Sequence, residues 1–205
     1  MNLPDQALWD AFQDGHQFRT VDGRLFEMAR QDAGTLVVPS GRIVACDPLQ
    51  CPGCEPFSIR VRPGEYPLRV AMTADDLALV MVRFRQGRPS RWKPAVPESF
   101  GVDTASGCLM DYRLARLLRR KAMAGEYEQH RHQLSDPLER GRPWASVTVD
   151  DVGGANVFVF RTRDGHGRFP SFYGYNATGR LICLITDMFL NSAAFNGPET
   201  AGDLA

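Results

Sequence analysis

Hydrophobic and polar residues alternate with a period of two along much of the chain. In residues 57–62, Phe57, Ile59 and Val61 would point to one side of a strand and the residues between them to the other. Residues 66–72 resume this alternation after the turn sequence Pro63-Gly64-Glu65. Such a pattern is typical of strands with one buried face. We therefore expect these two segments to form a half-buried antiparallel pair.

Turn sequences separate most of the remaining predicted strands. Pro39-Ser-Gly-Arg42 predicts a hairpin that joins residues 35–38 to residues 43–46. We expect a third strand over Leu77–Arg85, while Pro94 and Pro97 should interrupt any ladder after Trp92. The last predicted strands are residues 147–149, 156–161, 169–175 and 180–187, with hairpin turns at 164–167 and 176–179.

A helical period replaces the strand pattern in the middle of the chain. From Met110, apolar residues recur at i, i+4, i+7 and i+8, which predicts a helix over about 111–122 that begins at Asp111. A shorter helix is expected within residues 4–14. The polar segment 124–143 reads as a loop or a loose helix, and Leu109 and Met110 are expected to lead into the principal helix.

These elements together predict the fold class. About nine or ten short strands at hairpin spacing indicate a mainly β protein, an antiparallel β-sandwich or flattened barrel, with one principal helix (about 111–122) and a short N-terminal helix. Crossover helices between the strands are missing, which argues against a parallel α/β sheet. We expect a single domain over residues 1–190 and a flexible C-terminal tail over 191–205.

Composition restricts the possible functions. The chain has 205 residues, 43% of them hydrophobic, with 24 Lys and Arg against 24 Asp and Glu. Proteins that bind nucleic acid usually carry a basic surplus, so we expect no nucleic-acid partner. The first ten residues lack the features of a signal peptide, and no stretch has the length and apolarity of a membrane span. With five cysteines, an odd count, reduced thiols in the cytoplasm are the simpler expectation.

Several short motifs occur in a fixed order, and together they resemble a bacterial family known as domain of unknown function 4241. The resemblance covers about residues 35–190 and implies a compact β-rich fold, without an established reaction or cofactor. The residues that carry it are Ser40–Leu49, Pro63–Pro67, Gly101–Asp103, Ser106–Asp111, Gly165–Pro170, Tyr173 with Gly174, and Gly179–Asp187.

The cysteines allow two interpretations. Cys46, Cys51 and Cys54 have the C-x4-C-x2-C spacing of iron–sulfur proteins, to which Cys108 or Cys183 could add a fourth ligand. The prolines among them remove amide donors that a cluster would need, so we favour a core cysteine and a surface loop and expect no metal and no cofactor. The Cys51–Cys54 pair precedes a strand and not a helix, which favours an adventitious disulfide over a catalytic one.

Histidines and one further cysteine supply other candidates. We expect His130 and His132 to lie on the surface, because residues two apart on a helix point in different directions. His166 lies in a turn sequence, where it is either an exposed turn residue or functional. A catalytic pairing of Cys108 with His166 is the remaining option for nucleophilic chemistry, since no nucleophile-elbow motif is present.

Four aspartates each stand at the end of an apolar element and are weak catalytic candidates. Asp47, Asp103, Asp111 and Asp187 could converge at one rim, where they would serve a hydrolase directly or through a metal. The alternative is structural: Asp111 suits a helix start, and Asp47 and Asp103 suit turns in which the side chain bonds the backbone. The sequence leaves both interpretations open and favours the structural one.

Arginine and aromatic residues suggest a binding surface instead. The helix over 111–121 carries Arg113, Arg116, Arg119, Arg120 and Lys121, which form either a solvated face or a contact for an acidic protein. We favour a non-enzymatic protein-binding module, such as a toxin-neutralising immunity protein, over the hydrolase. Arg and aromatic side chains dominate interface hot spots. The expected binding residues are Arg113, Arg116, His166, Arg168, Phe169, Phe172 and Tyr173.

Overall fold

Twelve strands and three helices make up the described part of the protein. The computed structural model describes residues 7–19, 24–50, 54–74, 76–149, 152–162 and 165–188, so the predicted tail and Cys51 lie outside it. The strands are β1 (Gln17–Arg19), β2 (Leu25–Glu27), β3 (Ala29–Val38), β4 (Ile43–Cys46), β5 (Gly64–Met72), β6 (Leu77–Arg83), β7 (Arg91–Val102), β8 (Ser106–Asp111), β9 (Trp144–Val147), β10 (Val157–Arg161), β11 (Gly167–Tyr175) and β12 (Leu181–Asp187). The helices are α1 (Ala7–Asp10), α2 (Tyr112–Met123) and α3 (Glu128–Glu139).

Ten of the strands form two antiparallel sheets. The large sheet has the order β3-β5-β6-β12-β11-β7, the small sheet has the order β4-β8-β10-β9, and β1 pairs with β2 in a separate ribbon. Each strand pair is antiparallel. The prediction of a mainly β, antiparallel fold is therefore confirmed.

The principal core lies between the two sheets. Alternate residues of each strand point into it, as the period of two requires. The large sheet contributes buried aliphatic residues of β5 and β6, and the small sheet contributes β8 and β10. Examples are Leu68, Val70, Val80, Val82, Leu109, Phe158 and Phe160. Burial of each such side chain contributes about 1.5–3 kcal/mol, so this layer supplies much of the driving force for folding.

Both sheets are covered on their outer faces as well. Leu114 and Leu118 of α2 and Leu134 and Leu138 of α3 pack in one apolar cluster with Val44 of the small sheet. On the other side of the molecule, α1 and the β1–β2 ribbon cover the large sheet. That second outer cluster includes Leu8, Phe12, Met28, Leu79, Met81 and Ile185.

The buried side chain of Asn156 joins the two sheets at one side of the sandwich. Asn156, which precedes β10 of the small sheet, accepts a hydrogen bond from the Val37 N–H at 2.8 Å and donates one to the Thr35 carbonyl at 2.8 Å. It also donates to the Ser146 hydroxyl of β9 at 2.5 Å. The two sheets thus meet at their β3 and β9 edges through one buried amide.

The other side is joined by an extended segment, residues 57–61. The Phe57 N–H bonds the Ile43 carbonyl of β4 at 2.9 Å, and the Ser58 N–H bonds the Val96 carbonyl of β7 at 2.6 Å. The predicted strand pair of residues 57–62 with 66–72 is therefore wrong for its first member, and β5 pairs with β3 and β6 instead. The alternation arises because Phe57 points into the core while Ser58 faces water.

Two of the predicted hairpins instead connect strands that belong to different sheets. The turn after Val38 leads from β3 of the large sheet to β4 of the small sheet, and the turn after β10 leads back to β11 of the large sheet. Gly, Pro and Asp support both kinds of turn, so the turn sequence does not reveal which strand comes next in space. The hairpin between β11 and β12 at Asn176–Gly179 is confirmed.

Strand β7 continues through the two prolines that were expected to interrupt it. It is an edge strand whose neighbour within the large sheet is β11, and Pro94 pairs with Phe172. An edge strand tolerates proline because the missing amide donor can face away from the sheet. The predicted break after Trp92 is therefore wrong.

The helices agree in part with the predictions. Helix α2 is confirmed almost at its predicted bounds, whereas the segment that was expected to be a loop or loose helix contains the regular helix α3. Leu109 and Met110 belong to β8, which is buried along its whole length and therefore lacks an alternating pattern. Among the described residues, none of the helices is long and apolar enough to cross a membrane.

Candidate functional site

Asp47 ties two loops together with one carboxylate. Its Oδ1 accepts hydrogen bonds from the Leu49 N–H (2.9 Å), the Gln50 N–H (3.2 Å) and the Thr104 hydroxyl (2.8 Å). Its Oδ2 accepts from the Asp103 N–H and the Thr104 N–H, both at 2.8 Å. A carboxylate offers about four lone-pair sites, so these five donors occupy its accepting capacity. Asp47 therefore holds the two loops together.

Asp111 is a second structural carboxylate. It is fully buried and caps α2, because its Oδ1 accepts from the Arg113 N–H at 2.7 Å while its Oδ2 accepts from the Ser40 N–H at 2.7 Å. Asp111 pairs with Ile43 at the start of β4, whereas Asp47 follows the end of that strand. About 13 Å of strand, from Ile43 to Asp47, therefore separates the two backbone positions along the small sheet.

The other two aspartates lie in different surroundings. The Asp103 side chain is exposed, and only its backbone amide bonds Asp47. Asp187 is buried opposite Leu79, on the outer face of the large sheet. Asp47 and Asp103 are thus neighbours, whereas Asp111 and Asp187 lie in other parts of the fold.

Three connections that contain residues of the motifs named above meet at one end of the sandwich. Asp47 holds residues 103–104, and the Ala105 carbonyl accepts a hydrogen bond from the Thr162 N–H at 3.0 Å. Ala105 has a φ of 59°, a left-handed conformation that costs a residue with a side chain about 1–2 kcal/mol. The two residues before Ala105 donate their backbone N–H groups to Asp47. His166 lies exposed beyond this junction.

The predicted arginine–aromatic surface is divided among several parts of the fold. Phe169 and Tyr173 lie in the core between the sheets, and burial raises the pKa of the Tyr173 hydroxyl. Phe172 is half-buried on the outer face of the large sheet. Arg168 is exposed and donates from Nε to the Ser99 hydroxyl at 3.1 Å. Phe169 and Tyr173 are therefore corrected to core residues, because inward positions of β11 belong to the sandwich core.

Arg113 and Arg116 belong to a different and continuous surface on α2. Arg113, Arg116, Arg120 and Met123 follow one another at i, i+3, i+7 and i+10, and all four side chains are exposed. Met123 is 80% exposed, which is unusual for a large apolar residue. We call these four residues the α2 stripe. Met123 was not among the residues predicted from the sequence, although the helical period continued by one step would have found it.

The charge of α2 is one-sided. The helix contains five basic residues and no acidic one. Within the described part of the chain, no carboxylate lies within 4.0 Å of the guanidinium groups of Arg113, Arg116 or Arg120. Asp136 of α3, by contrast, pairs at 2.9 Å with Arg140, which follows the last residue of that helix. Like charges at i+3 and i+4 oppose a helix by about 0.2–0.5 kcal/mol per pair, so the stripe does not arise from helix stabilisation.

His130 is buried, contrary to the prediction of a surface residue. It lies in line with Leu134 and Leu138 at i, i+4 and i+8, and its ring stacks on Tyr127 at 6.0 Å. Its Nε2 lies 3.5 Å from Nζ of Lys121, and its Nδ1 has no hydrogen-bond partner among the described residues. The apolar period of α3 was the available signal, whereas His132 is exposed as predicted.

The cysteines are distributed between the core and a loop. Cys46 and Cys108 are buried opposite each other, with their Sγ atoms 3.5 Å apart, while Cys54 is half-buried. Because Cys108 lies inside β8 and His166 in an exposed turn, the structure places these two candidates in different environments. In the ranges that the structure describes, no group of three or more His, Cys, Asp or Glu side chains is arranged to hold a metal ion.

Comparison with known proteins identifies the family. No curated protein and no solved structure matches the chain. The family model described as protein of unknown function (DUF4241) matches residues 36–186, a span that runs from the second half of β3 almost to the end of β12. The match includes both sheets of the sandwich, the three connections at its one end and the α2 stripe. The chain therefore belongs to the DUF4241 family of proteins of unknown function.

Proposed function

We propose that the protein is a non-enzymatic binding protein and that the α2 stripe contacts an acidic surface of a partner protein. The observation that carries this proposal is the row of three exposed guanidinium groups that ends at an exposed methionine. Arg and Met are both enriched in protein interfaces. A methionine beside arginines supplies an apolar anchor where charge alone would give only weak contacts.

The α2 stripe lies on a helix that is held firmly in place. Asp111 caps the first turn of α2, and Leu114 and Leu118 fix the opposite side of the helix to the small sheet. The guanidinium group of Arg116 lies over the Tyr112 ring at 5.9 Å. A contact surface that is already ordered loses less conformational entropy when it binds.

The charge balance favours a protein partner over nucleic acid. Lys and Arg number 24, as do Asp and Glu, so attraction must come from a local surface. A toxin neutralised in the cytoplasm by an immunity protein is one partner of this kind. An acidic face on that partner would complement the stripe and accelerate association.

The proposal is tested with a charge-reversal variant, Arg113→Glu with Arg116→Glu and Arg120→Glu. The control is Arg60→Glu with Arg62→Glu and Arg180→Glu, which changes the net charge equally at exposed positions outside the helices. The wild type and both variants are used as baits for affinity capture from the native cell. The captured partner, or the product of an adjacent toxin gene, is then titrated against each of the three proteins to measure its affinity. We expect the α2 variant to bind at least about 100-fold more weakly and the control to bind normally.

Three results would count against the proposal. These are an equal loss of affinity in both variants, capture of nucleic acid in place of a protein, and turnover of a substrate that Asp47→Asn abolishes. The last would favour the hydrolase alternative, which needs two carboxylates to face one substrate. In the structure, Asp47 and Asp111 instead direct their oxygens at backbone amides.

A further inference from the structure

Two buried thiols meet in the small sheet. Cys46 ends β4 and pairs directly with Cys108 of β8, and their Sγ atoms are 3.5 Å apart. Both are almost completely inaccessible, at 1% and 0% exposure, and both carry thiols. They belong to the apolar cluster beneath α2 and α3. Two sulfur atoms are therefore held at contact distance by a strand register and not by chance proximity of mobile loops.

The same register suits a covalent bond between them. Directly opposed residues on antiparallel strands lie about 4.5–5.5 Å apart at Cα, within the roughly 4.4–6.8 Å range seen for disulfides. A bond length of about 2.05 Å is reached when the side chains rotate toward each other. No separation of β4 from β8 is required.

We propose that Cys46 and Cys108 are an oxidative modification site, which closes to an intramolecular disulfide when a peroxide acts as the two-electron oxidant. One thiolate attacks a peroxide oxygen, which breaks the O–O bond, forms a sulfenic acid and releases water. The second sulfur then displaces the hydroxyl group, which leaves as water. Both S–H bonds are lost, one S–S bond forms, and one hydrogen peroxide becomes two water molecules.

The place of β4 in the sheet provides a route for the oxidant. It is an edge strand of the small sheet. Residues 57–61 cover the side of β4 that faces away from β8, through isolated hydrogen bonds such as that from the Phe57 N–H to the Ile43 carbonyl. Local opening of such an edge costs less than global unfolding. Oxidation is therefore slower than that of an exposed thiol but occurs without denaturation.

Cys183 provides an internal control. It is as buried as Cys108, but it lies on the outer face of the large sheet beside Gly174. Burial raises the pKa of its thiol to about 12, although Arg83 opposes the shift. If burial alone set the rate of oxidation, Cys108 and Cys183 would be oxidised at the same rate. A mechanism that needs a second thiol in contact predicts that Cys108 is oxidised and Cys183 is not.

The experiment treats the folded, full-length protein with hydrogen peroxide and maps its peptides without reduction. We expect a peptide that joins Cys46 to Cys108 in more than half of the protein, under conditions that leave Cys183 a thiol. Cys46→Ser and Cys108→Ser should each abolish this peptide, and Cys183→Ser should retain it. Because the peptide map is made on the wild type, the test remains valid even if a variant fails to fold.

Several outcomes would overturn the proposal. One is a wild-type map in which the pair stays reduced, and another is a map in which Cys46 or Cys108 is joined to Cys51 or Cys54. A third is one equivalent of zinc in the purified protein that is lost in both Cys46→Ser and Cys108→Ser. That result would make the two sulfurs metal ligands and not a redox pair.

Discussion

At the scale of single residues, Asp47 and Asp103 are neighbours that form their mutual hydrogen bond through different groups. Asp47 contributes a buried carboxylate that accepts five hydrogen bonds, whereas Asp103 contributes its backbone N–H and leaves its carboxylate exposed. The same chemical change at the two positions therefore separates a structural role from a surface one.

We expect Asp47→Asn to lower the free energy of unfolding by about 1–3 kcal/mol. In the wild type both side-chain oxygens accept hydrogen bonds. The asparagine side chain replaces one of these oxygens with an NH₂ group, which is itself a donor, so at least one backbone N–H loses its acceptor. Urea denaturation followed by circular dichroism measures the change. Asp103→Asn is the matched control and should stay within about 0.5 kcal/mol of the wild type. Equal effects at both positions would contradict the assignment.

Local roles of these residues were predictable, but their distant partners were not. Asp111 at a helix start and Asp47 in a turn follow from sequence, because each bonds an amide two residues ahead. The bonds from Asp47 to residues 103–104 and from Asp111 to Ser40 span a long stretch of chain. No local sequence pattern predicts such long-range pairs. From the sequence, the two carboxylates therefore appeared to have fewer hydrogen-bond partners than they have in the structure.

At the scale of elements, β11 and β12 pack closely at Gly174. A Cβ atom there would lie 2.8 Å from the Trp92 ring, 2.9 Å from Sγ of Cys183 and 2.9 Å from Cγ of Pro89. Three different elements of the large sheet region thus converge on the space that a glycine leaves empty. The hairpin depends on this residue for its contact with β7 and the turn before it.

We expect Gly174→Ala to destabilise the protein by about 1–3 kcal/mol, because the added methyl group overpacks a buried site. The matched control is Gly101→Ala in β7, where an added Cβ would have nothing within 4 Å and where the backbone has no left-handed φ. Thermal unfolding of both variants measures the difference. A Gly174→Ala protein as stable as Gly101→Ala would show that this packing is looser than described.

Periodicity identified most elements and misassigned those in unusual positions. It found α2 from its apolar stripe at helical spacing, and it found β6 and β12 as short apolar segments bounded by turn sequences. It missed β8, because its apolar residues Cys108, Leu109 and Met110 lead without a turn sequence into the helical pattern of α2. It also took residues 57–61 for a strand, because alternation reports which side is buried and not whether a ladder partner exists.

At the scale of the whole molecule, Asn156 connects the two sheets at one side of the sandwich. Its amide bonds both backbone groups that β3 turns toward β9, at Thr35 and Val37. The opposite side depends on backbone bonds of residues 57–61. The sheets are therefore held together by their shared core and by two different edge contacts.

We expect Asn156→Ala to lower the free energy of unfolding by about 1–3 kcal/mol, since the Val37 N–H and the Thr35 carbonyl lose their partner. Hydrogen exchange should show faster exchange of the Val37 amide in the variant. Ser146→Ala is the control, because it removes one bond of Asn156 and leaves both bonds to β3 intact. Unchanged protection of Val37 would contradict the role of Asn156.

The fold class followed from sequence, but the assignment of strands to sheets did not. Regular alternation and turn spacing predict many antiparallel strands in any order. The chain moves from one sheet to the other after β3, after β4, after β7 and after β10, and the turn sequences after β3 and β10 resemble those of hairpins. The basic face of α2 was visible in sequence. The structure was needed to show that, among the described residues, no carboxylate lies within 4.0 Å of the guanidinium groups of Arg113, Arg116 and Arg120.

The strand order also constrains how the protein is made. Strand β7 ends at Val102, but its one neighbour in the large sheet is β11, which begins at Gly167. On the ribosome, β7 must therefore wait until the β11–β12 hairpin has been translated and has left the exit tunnel. Most of the family region is synthesised before the large sheet can close, so the nascent chain passes through a stage in which apolar strand residues need protection.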